Sequence, residues 1–309
     1  MLFRSTRADF GKLKSLIRIS FDNQNFDVRI FATGMHLQDK YGYTLHEIEK
    51  SGFSNIHSYS NHTVGGAMDV MMAETIKGLS DYVRDEQPDM IVVHGDRIEA
   101  LAGAIVGALN NILVAHIEGG EVSGTVDELI RHAVSKMSHL HFVANDQARM
   151  RLIQMGERDD SIFIIGSPDM DVMVSNKLPP ISEVKSYYNI EFDRFALLMM
   201  HPVTTEASEM KRAAESLFGA ASSSGLNFVV IYPNNDLGTD AILEVIHSYD
   251  GNPRFKIYPS IRFEYFLVLL KQSELIIGNS SAGVREAPFY GVPTVNIGTR
   301  QHRRALNEE

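Results

Sequence analysis

The chain has 309 residues, a formal net charge of −10 at pH 7 and no cysteine. This length predicts two domains, and the lack of cysteine excludes disulfides, zinc–thiolate sites and thiol catalysis. Because the charge balance is acidic and no apolar run approaches the roughly 18 residues of a membrane span, we expect a cytoplasmic protein without nucleic-acid or membrane partners.

Short apolar runs alternate with helical patterns along the chain. Most runs are continuously apolar, which is typical of strands buried on both faces of a parallel sheet. This rhythm predicts an α/β fold of two Rossmann-like, doubly wound domains. The predicted strands are Phe26–Phe31, Met90–His94, Leu113–Ile117, His141–Ala144, Ile162–Ile165, Phe195–Met200, Phe228–Tyr232, Phe255–Tyr258, Leu275–Ile277 and Thr294–Ile297.

The rhythm pauses at Leu178–Tyr188, where Pro179 and Pro180 are expected to break any helix. We interpret this segment as the interdomain link, with an N-terminal domain at 1–178 and a C-terminal domain at 190–309. Little chain precedes the first polar loop, and no closing helix follows the last strand. We therefore expect a chain that is truncated at both ends.

The first polar loops of such a fold are candidates for ligand binding, since ligands bind beyond the carboxyl ends of the strands. Arg7 and Lys12 lie at the opening of a helix, where they predict a phosphate clamp or, more simply, a solvated helix start. Asp96 and Arg97 follow the second predicted strand. Asp96 is expected to face the ligand, to cap the small-residue helix Ile98–Leu109, or to do both.

The third predicted strand ends in a histidine and an acidic residue. His116 and Glu118 are two positions apart, so they are expected to point to the same side of the strand. A desolvated carboxylate there would have a raised pKa that suits acid–base chemistry. The alternative is a structural buried salt bridge.

A helix is predicted over Thr125–Ser138. Two i, i+4 pairs, Asp127 with Arg131 and Glu128 with His132, lie off its apolar stripe, either facing the ligand or forming a solvated face. The predicted core stripe comprises Val126, Leu129, Ile130, Ala133, Val134 and Met137.

The second half offers groups that suit a nucleotide. His201 and Asn234 each follow a predicted strand, and Ser280 and Ser281 follow another after a glycine. The serines and a helix N-terminus predict a phosphate-binding loop, although a plain N-cap is an equal alternative. Glu286 is predicted one turn into that helix, where it could accept hydrogen bonds from ribose hydroxyls.

The order and spacing of these segments resemble the hydrolysing UDP-N-acetylglucosamine 2-epimerases of bacterial sialic acid biosynthesis. The resemblance implies a glycosyltransferase-B-like fold with two domains facing a cleft, no metal or other cofactor, and a homodimer or homotetramer. It rests on Arg7-Ala8-Asp9-Phe10-Gly11, His94-Gly95-Asp96-Arg97, His116-Ile117-Glu118-Gly119-Gly120-Glu121, Ser123-Gly124-Thr125, His201-Pro202-Val203-Thr204-Thr205 and Gly278-Asn279-Ser280-Ser281 with Arg285-Glu286.

The resemblance also implies a two-stage reaction. A base removes the proton at sugar C2 while UDP leaves C1, and water then adds to the resulting glycal to give N-acetylmannosamine. The implied acid–base set is Asp96, Glu118, Asp127 and Glu128, with the first base left open. The implied substrate-binding residues are Arg7, Lys12, His94, Arg97, His116, Arg131, His201, Asn234, Ser280, Ser281 and Glu286.

Four alternatives remain open at this point. The sugar could be a UDP-linked diacetamido sugar, or the chain could be a glycosyltransferase of the same fold, which needs fewer carboxylates. A metal-dependent hydrolase built on His94, Asp96, His116 and Glu118 is disfavoured because neighbouring arginines would repel the cation. The last alternative is a non-catalytic nucleotide-sugar sensor.

Overall fold

The computed structural model describes residues 1–5, 7–62, 67–302 and 304, with the backbone alone at residues 4, 5, 7 and 8. The chain forms two compact units. Unit 1 comprises Met1–Val122 and Val126–Val174, and unit 2 comprises Ser123–Thr125 and Ser175–Glu309. The domain ranges expected from the sequence stay a prediction.

Unit 1 contains a seven-stranded parallel sheet with the order β3-β2-β1-β4-β5-β6-β7. The chain therefore winds outward from β1 in both directions, as in a doubly wound Rossmann sheet. The strands are β1 Leu2–Ser5, β2 Arg29–Ala32, β3 Ile56–Ser58, β4 Met90–His94, β5 Leu113–Ile117, β6 Leu140–Val143 and β7 Ile162–Ile164.

Helices cover both faces of this sheet. Ile91 and Val93 pack into one apolar cluster, whereas Val92 between them packs into another, so β4 is buried on both sides. The helices of unit 1 are α1 Arg7–Phe21, α2 Leu45–Lys50, α3 Met68–Glu86, α4 Ile98–Leu109, α5 Val126–Lys136, α6 Asp146–Gln154 and α7 Asp169–Met173.

Unit 2 repeats the arrangement on a smaller scale. Its five-stranded parallel sheet has the order β10-β9-β8-β11-β12, which is the same winding about a central strand. The strands are β8 Ala196–Met199, β9 Phe228–Ile231, β10 Phe255–Tyr258, β11 Ile276–Gly278 and β12 Thr294–Asn296. The helices are α8 Ile181–Tyr187, α9 Met210–Ser223, α10 Thr239–His247, α11 Phe263–Gln272 and α12 Glu286–Tyr290.

The expectation that no helix forms in the predicted link was wrong. Helix α8 occupies most of that segment, with Pro180 as its N-cap. Proline is tolerated there because the first residues of a helix have no intrahelical acceptor for their N–H groups. The helix end is anchored in unit 2, since the Tyr258 hydroxyl donates to the Tyr188 carbonyl at 2.5 Å and the Arg262 N–H donates to the Tyr188 hydroxyl at 3.0 Å.

Strands β1 and β3 were absent from the sequence predictions. In β1, Leu2 and Phe3 are fully buried at the centre of the sheet. In β3, which is at one edge, no residue is fully buried, and this explains why it lacks an apolar run. Among the described residues, we find no helix with both the length and the apolar character needed to span a membrane.

Candidate active site

The first polar group in unit 1 centres on His94, the last residue of β4. Its Nδ1 lies 3.0 Å from Asp9 Oδ1, and its Nε2 lies 3.2 Å from Glu118 Oε2, a charge contact. Burial disfavours the charged ring, but the carboxylates of Glu118 and Asp9 outweigh it and raise the pKa of His94 to about 9. Asp9, from the first turn of α1, was not among the predicted site residues.

Glu118 is the first residue beyond β5, and its backbone is left-handed, with φ +64°. Such a conformation is uncommon for a residue with a side chain and recurs at functional sites. The Ser167 hydroxyl donates to Glu118 Oε1 at 2.7 Å. Glu118 is buried, as predicted, but the neighbouring hydroxyl and imidazole favour its charged form and oppose the effect of burial.

His116 plays a supporting part and does not share a side of the strand with Glu118, so that prediction was wrong. The left-handed backbone at Glu118 ends the two-residue alternation. His116 Nε2 lies 2.9 Å from the Gly95 carbonyl and its Nδ1 lies 3.0 Å from Ser135 Oγ, with the ring fully buried. Burial lowers the pKa of His116 to about 3. The ring is neutral, donates from Nε2 and accepts at Nδ1.

Asp96, in the loop after β4, forms an ion pair with Arg131 of α5. Arg131 is 1% exposed, and its Nη1 also donates to the Glu121 carbonyl at 3.1 Å. The predicted capping role of Asp96 was wrong, because the N-cap of α4 is Arg97 and its side chain makes no cap hydrogen bond. Arg97 is itself buried.

The buried face of α5 differs from the predicted stripe. Leu129 is 72% exposed, whereas Asp127 and Arg131 are buried together with Ile130 and Val134. The face is rotated because Arg131 finds a carboxylate partner from another loop. Burial of the guanidinium disfavours the charged form of Arg131. The negative charges of Asp96, Glu121 and Asp127, in decreasing order of effect, outweigh burial and raise the pKa of Arg131.

The two predicted carboxylates of α5 have different surroundings. Asp127 lies on the buried face with Arg131. Glu128 is half-buried, and its Oε1 lies 3.9 Å from His132 Nε2. The structure therefore groups Asp127, and not Glu128, with the Asp96–Arg131 pair.

Lys12 contacts a carboxylate that the sequence did not single out. Its Nζ lies 3.2 Å from Asp169 Oδ2, and Asp169 is buried at the start of α7. This pair places a cation in the first turns of α1, on the N-terminal side where free amides favour anions. The Arg7 side chain, the other half of the predicted phosphate clamp, lies outside the described residues.

The polar group of unit 2 centres on His201, which follows β8. The Asn279 side chain accepts from the His201 N–H at 2.6 Å and donates to the His201 carbonyl at 2.8 Å. The Asn234 N–H donates to His201 Nδ1 at 3.1 Å. The imidazole therefore carries its proton on Nε2 when neutral, so Nε2 is a hydrogen-bond donor.

The loop after β11 carries the predicted serines. Gly278 has φ +133°, and a Cβ there would lie 1.9 Å from the Met199 carbonyl oxygen, so only glycine fits. Ser280 caps a short 3₁₀ turn by accepting from the Ala282 N–H at 3.3 Å, while Ser281 is half-buried as the first residue of that turn. This outcome matches the capping alternative for Ser280.

The prediction that Glu286 lies one turn into a helix was wrong. The 3₁₀ turn ends before it, and Glu286 is the first residue of the separate helix α12. Its side chain is 2% exposed. An acidic residue is favourable at this end of a helix because of the helix dipole.

Four site neighbours escaped the sequence predictions: Asp9, Ser167, Asp169 and Asn279. Two of them had a signal that could have been used, since Ser167 and Asp169 follow β7 just as the predicted residues follow other strands. Asn279 stands inside a segment noted for its serines. Among the described residues, no group of three or more histidine, aspartate or glutamate side chains is arranged to hold a metal ion.

Comparison with known proteins identifies the family. The family model described as UDP-N-acetylglucosamine 2-epimerase matches residues 20–308. The chain belongs to the UDP-N-acetylglucosamine 2-epimerase family. Among its relatives in this family, a UDP-N-acetylglucosamine 2-epimerase of Neisseria meningitidis serogroup B is 50% identical over 98% of this chain and 80% of its own.

Other relatives carry related names. A UDP-N,N'-diacetylbacillosamine 2-epimerase (hydrolyzing) of Legionella pneumophila is 37% identical over 98% of this chain and 81% of its own. The polysialic acid biosynthesis protein P7 of Escherichia coli is 32% identical over 97% of this chain and 78% of its own.

Solved structures of the epimerase family share the fold. The Neisseria meningitidis UDP-GlcNAc 2-epimerase bound to UDP-GlcNAc aligns with a TM-score of 0.79 and 18% identity, over 98% of this chain and 84% of its own. The Methanocaldococcus jannaschii UDP-GlcNAc 2-epimerase in complex with UDP-GlcNAc and UDP aligns with a TM-score of 0.78 and 21% identity, over 98% of this chain and 85% of its own. The predicted α/β class, two Rossmann-like domains of the glycosyltransferase-B-like type, is confirmed.

Proposed function

We propose that this protein is a hydrolysing UDP-N-acetylglucosamine 2-epimerase, which converts UDP-N-acetylglucosamine and water to N-acetylmannosamine and UDP. The observation that carries the proposal is the set of carboxylates in unit 1. Glu118 and Asp127 are buried, Asp96 is half-buried, and each acts electrostatically on a cation, either His94 or Arg131. Charged carboxylates in such surroundings are suited to moving protons.

In the first stage of the proposed reaction, one of these carboxylates takes the proton from sugar C2. The C1–O bond to UDP breaks at the same time, and a C1–C2 double bond forms. In the second stage, water adds its hydroxyl to C1 and gives its remaining proton to one carboxylate. A protonated carboxyl group delivers a proton to C2 on the opposite face. Asp96, Glu118 and Asp127 provide enough acid–base groups for both stages. Glu128 stays a weaker candidate because it pairs with His132 on the half-exposed side of α5.

The same proposal assigns the nucleotide to other groups. His201 can donate from Nε2, because the Asn234 N–H donates to its Nδ1. In unit 1, Lys12 supplies a positive charge that suits a phosphate group. In unit 2, the hydroxyls of Ser280 and Ser281 are candidate donors to a phosphate oxygen. A leaving group held by such donors departs more easily, since they stabilise the charge that develops on it.

A product analysis tests the proposal. The purified protein is incubated with UDP-N-acetylglucosamine, without an acceptor and with a chelator present, and the products are followed by ³¹P and ¹H NMR. We expect free UDP and N-acetylmannosamine in equal amounts. UDP with N-acetylglucosamine would indicate simple hydrolysis, and UDP-N-acetylmannosamine would indicate epimerisation without hydrolysis; either result contradicts the proposal.

A competing substrate follows from the 37% identical relative, whose name specifies a diacetylbacillosamine nucleotide. The same assay with UDP-N,N'-diacetylbacillosamine measures this candidate directly. We expect a lower kcat/KM than with UDP-N-acetylglucosamine, because the relative named for the latter is 50% identical. The reverse ranking would assign the chain to the diacetamido substrate.

Matched variants on α5 test the proposed acid–base set. Asp127→Asn removes a buried carboxylate, and we expect kcat to fall by roughly 10²-fold or more. Glu128→Gln changes the half-exposed neighbour and is expected to cost much less. An equal loss in both variants would contradict the grouping of Asp127 with Asp96 and Arg131.

A further inference from the structure

Both ring nitrogens of His94 face a carboxylate. Nδ1 lies 3.0 Å from Asp9 Oδ1 and Nε2 lies 3.2 Å from Glu118 Oε2. A neutral imidazole carries a proton on one nitrogen alone, so its other nitrogen would point a lone pair at a carboxylate oxygen. The imidazolium donates from Nδ1 to Asp9 and places its positive charge against Glu118, so no lone pair faces either carboxylate.

We propose that Asp9 is a positioning residue, which holds His94 as an imidazolium that in turn fixes Glu118 as a charged carboxylate. Asp9 comes from α1, His94 from β4 and Glu118 from the loop after β5, so the three groups join elements that are far apart in the sequence. The catalytic consequence of this positioning role of Asp9 rests on the proposed function. The charge state of His94 does not depend on the proposed function.

The second oxygen of Glu118 supports the same charge state. Ser167 donates its hydroxyl proton to Oε1 at 2.7 Å, while Oε2 faces His94. Oε1 therefore accepts a hydrogen bond and Oε2 lies beside a positive charge, and both contacts favour an ionised carboxylate. In the proposed reaction, Glu118 is then ready to accept a proton at the start of the cycle.

The other titratable groups near His94 do not change the charges assigned to His94 and Glu118. His116 on β5 is neutral, because burial lowers its pKa to about 3. Arg131 on α5 is paired with Asp96 and acts on Glu118 as a further positive charge. Burial alone would discharge His94, but the carboxylates of Glu118 and Asp9 together raise its pKa to about 9.

The charge on His94 can be measured directly. Histidine labelled with ¹⁵N in the ring is incorporated into the full chain, and long-range ¹H–¹⁵N spectra are recorded from pH 6 to 10. The His94 signals are assigned with the His94→Gln variant. We expect both ring nitrogens of His94 to be protonated at pH 7.5, with a midpoint near 9. A single protonated nitrogen at pH 7.5 overturns the inference. The titration is recorded on the wild-type chain, and the His94→Gln variant serves only to assign the signals.

The role of Asp9 is tested with Asp9→Asn, which keeps the shape of the side chain and removes its charge. We expect the midpoint of the His94 titration to fall by about one to three pH units. The alkaline limb of the pH profile of kcat should shift to lower pH with it. A purely structural role would lower kcat equally at every pH and would overturn the assignment. Asp250→Asn is the matched control, since Asp250 lies 3.0 Å from the exposed His247 and should leave the profile unchanged.

The charge state of His94 and the epimerase activity are measured separately. If the protein has no epimerase activity but His94 titrates near 9, the proposed function fails and the charge assignment stands. If the protein is active but His94 is neutral at pH 7.5, the assignment fails and the proposed function stands.

Discussion

Arg131 of α5 and Asp96 of the loop after β4 form an ion pair in which the guanidinium is 1% exposed. The pair joins a helix to a loop that lies 35 positions earlier in the sequence. Because Asp127 and Glu118 also act on Arg131, this one cation offsets charge from several carboxylates of the candidate site.

Removing this cation should destabilise unit 1. Arg131→Met leaves Asp96 and Asp127 without their compensating charge, and we expect a loss of about 3 kcal/mol of unfolding free energy. Urea denaturation at pH 7 measures it. The exposed Arg194 pairs with Glu274 by two hydrogen bonds of 2.8 and 3.0 Å, so Arg194→Gln is a matched control that should change stability little. Equal effects in the two variants would contradict the role of burial.

His116 should make stability depend on pH in the acidic range. Burial lowers its folded-state pKa from 6.5 to about 3, so the unfolded chain takes up the proton first as the pH falls. The stabilisation is complete above pH 6.5 and is lost as the pH decreases towards 3, by about 1.4 kcal/mol per pH unit.

Urea denaturation between pH 7 and 5 checks this dependence. His116→Gln keeps a donor for the Gly95 carbonyl but cannot titrate, so its stability should fall less steeply than that of the wild type. The exposed His62 gives a control, and His62→Gln should keep the wild-type slope. Parallel slopes for the wild type and His116→Gln would refute the prediction.

Gly119 is required by a close approach of side chains. A Cβ at this position would lie 2.9 Å from both His116 Nδ1 and Ser135 Oγ, the two atoms of a buried hydrogen bond. We expect Gly119→Ala to cost about 1–3 kcal/mol. Gly219 on α9 has open space around it, so Gly219→Ala should be neutral or stabilising. Thermal unfolding of both variants separates the outcomes, and a stable Gly119→Ala protein would contradict the packing described.

Asn279 should be needed for the orientation of His201. Asn279→Asp keeps the acceptor for the His201 N–H but replaces the donor to the His201 carbonyl by a negative oxygen. If His201 binds the nucleotide, we expect KM for the UDP-sugar to rise by about 10-fold or more. Asn227→Asp also loses a donor to a backbone carbonyl, that of Arg194, and is the control. An unchanged KM in Asn279→Asp would separate His201 from substrate binding.

Most strands of both sheets could be predicted because the signal is local, although β1 and β3 were not predicted. A run such as Ile91–Val93 is apolar at every position since both faces of β4 are covered. Strand β3 escaped because it is three residues long and half-exposed, so it carries no such signal. Helix α8 was not predicted because proline usually breaks a helix. Pro180, however, stands at the N-terminal end of α8, where proline fits.

The candidate site could be predicted as a set of loops but not as a set of contacts. Asp96 and Glu118 were found because they follow strands. The buried face of α5 was misjudged because Arg131 and Asp127 are polar, and only the partner from another loop makes their burial favourable. Asp9 and His94 are 85 positions apart, and no local pattern connects them.

The fate of the C2 hydrogen distinguishes elimination and hydration from direct hydrolysis at C1. The protein is incubated with UDP-N-acetylglucosamine in heavy water, and the free sugar is analysed by NMR. We expect N-acetylmannosamine that carries deuterium at C2, because a carboxylate removes the original proton and the solvent supplies the new one. A free sugar that retains its original hydrogen at C2 would contradict elimination and hydration as the route.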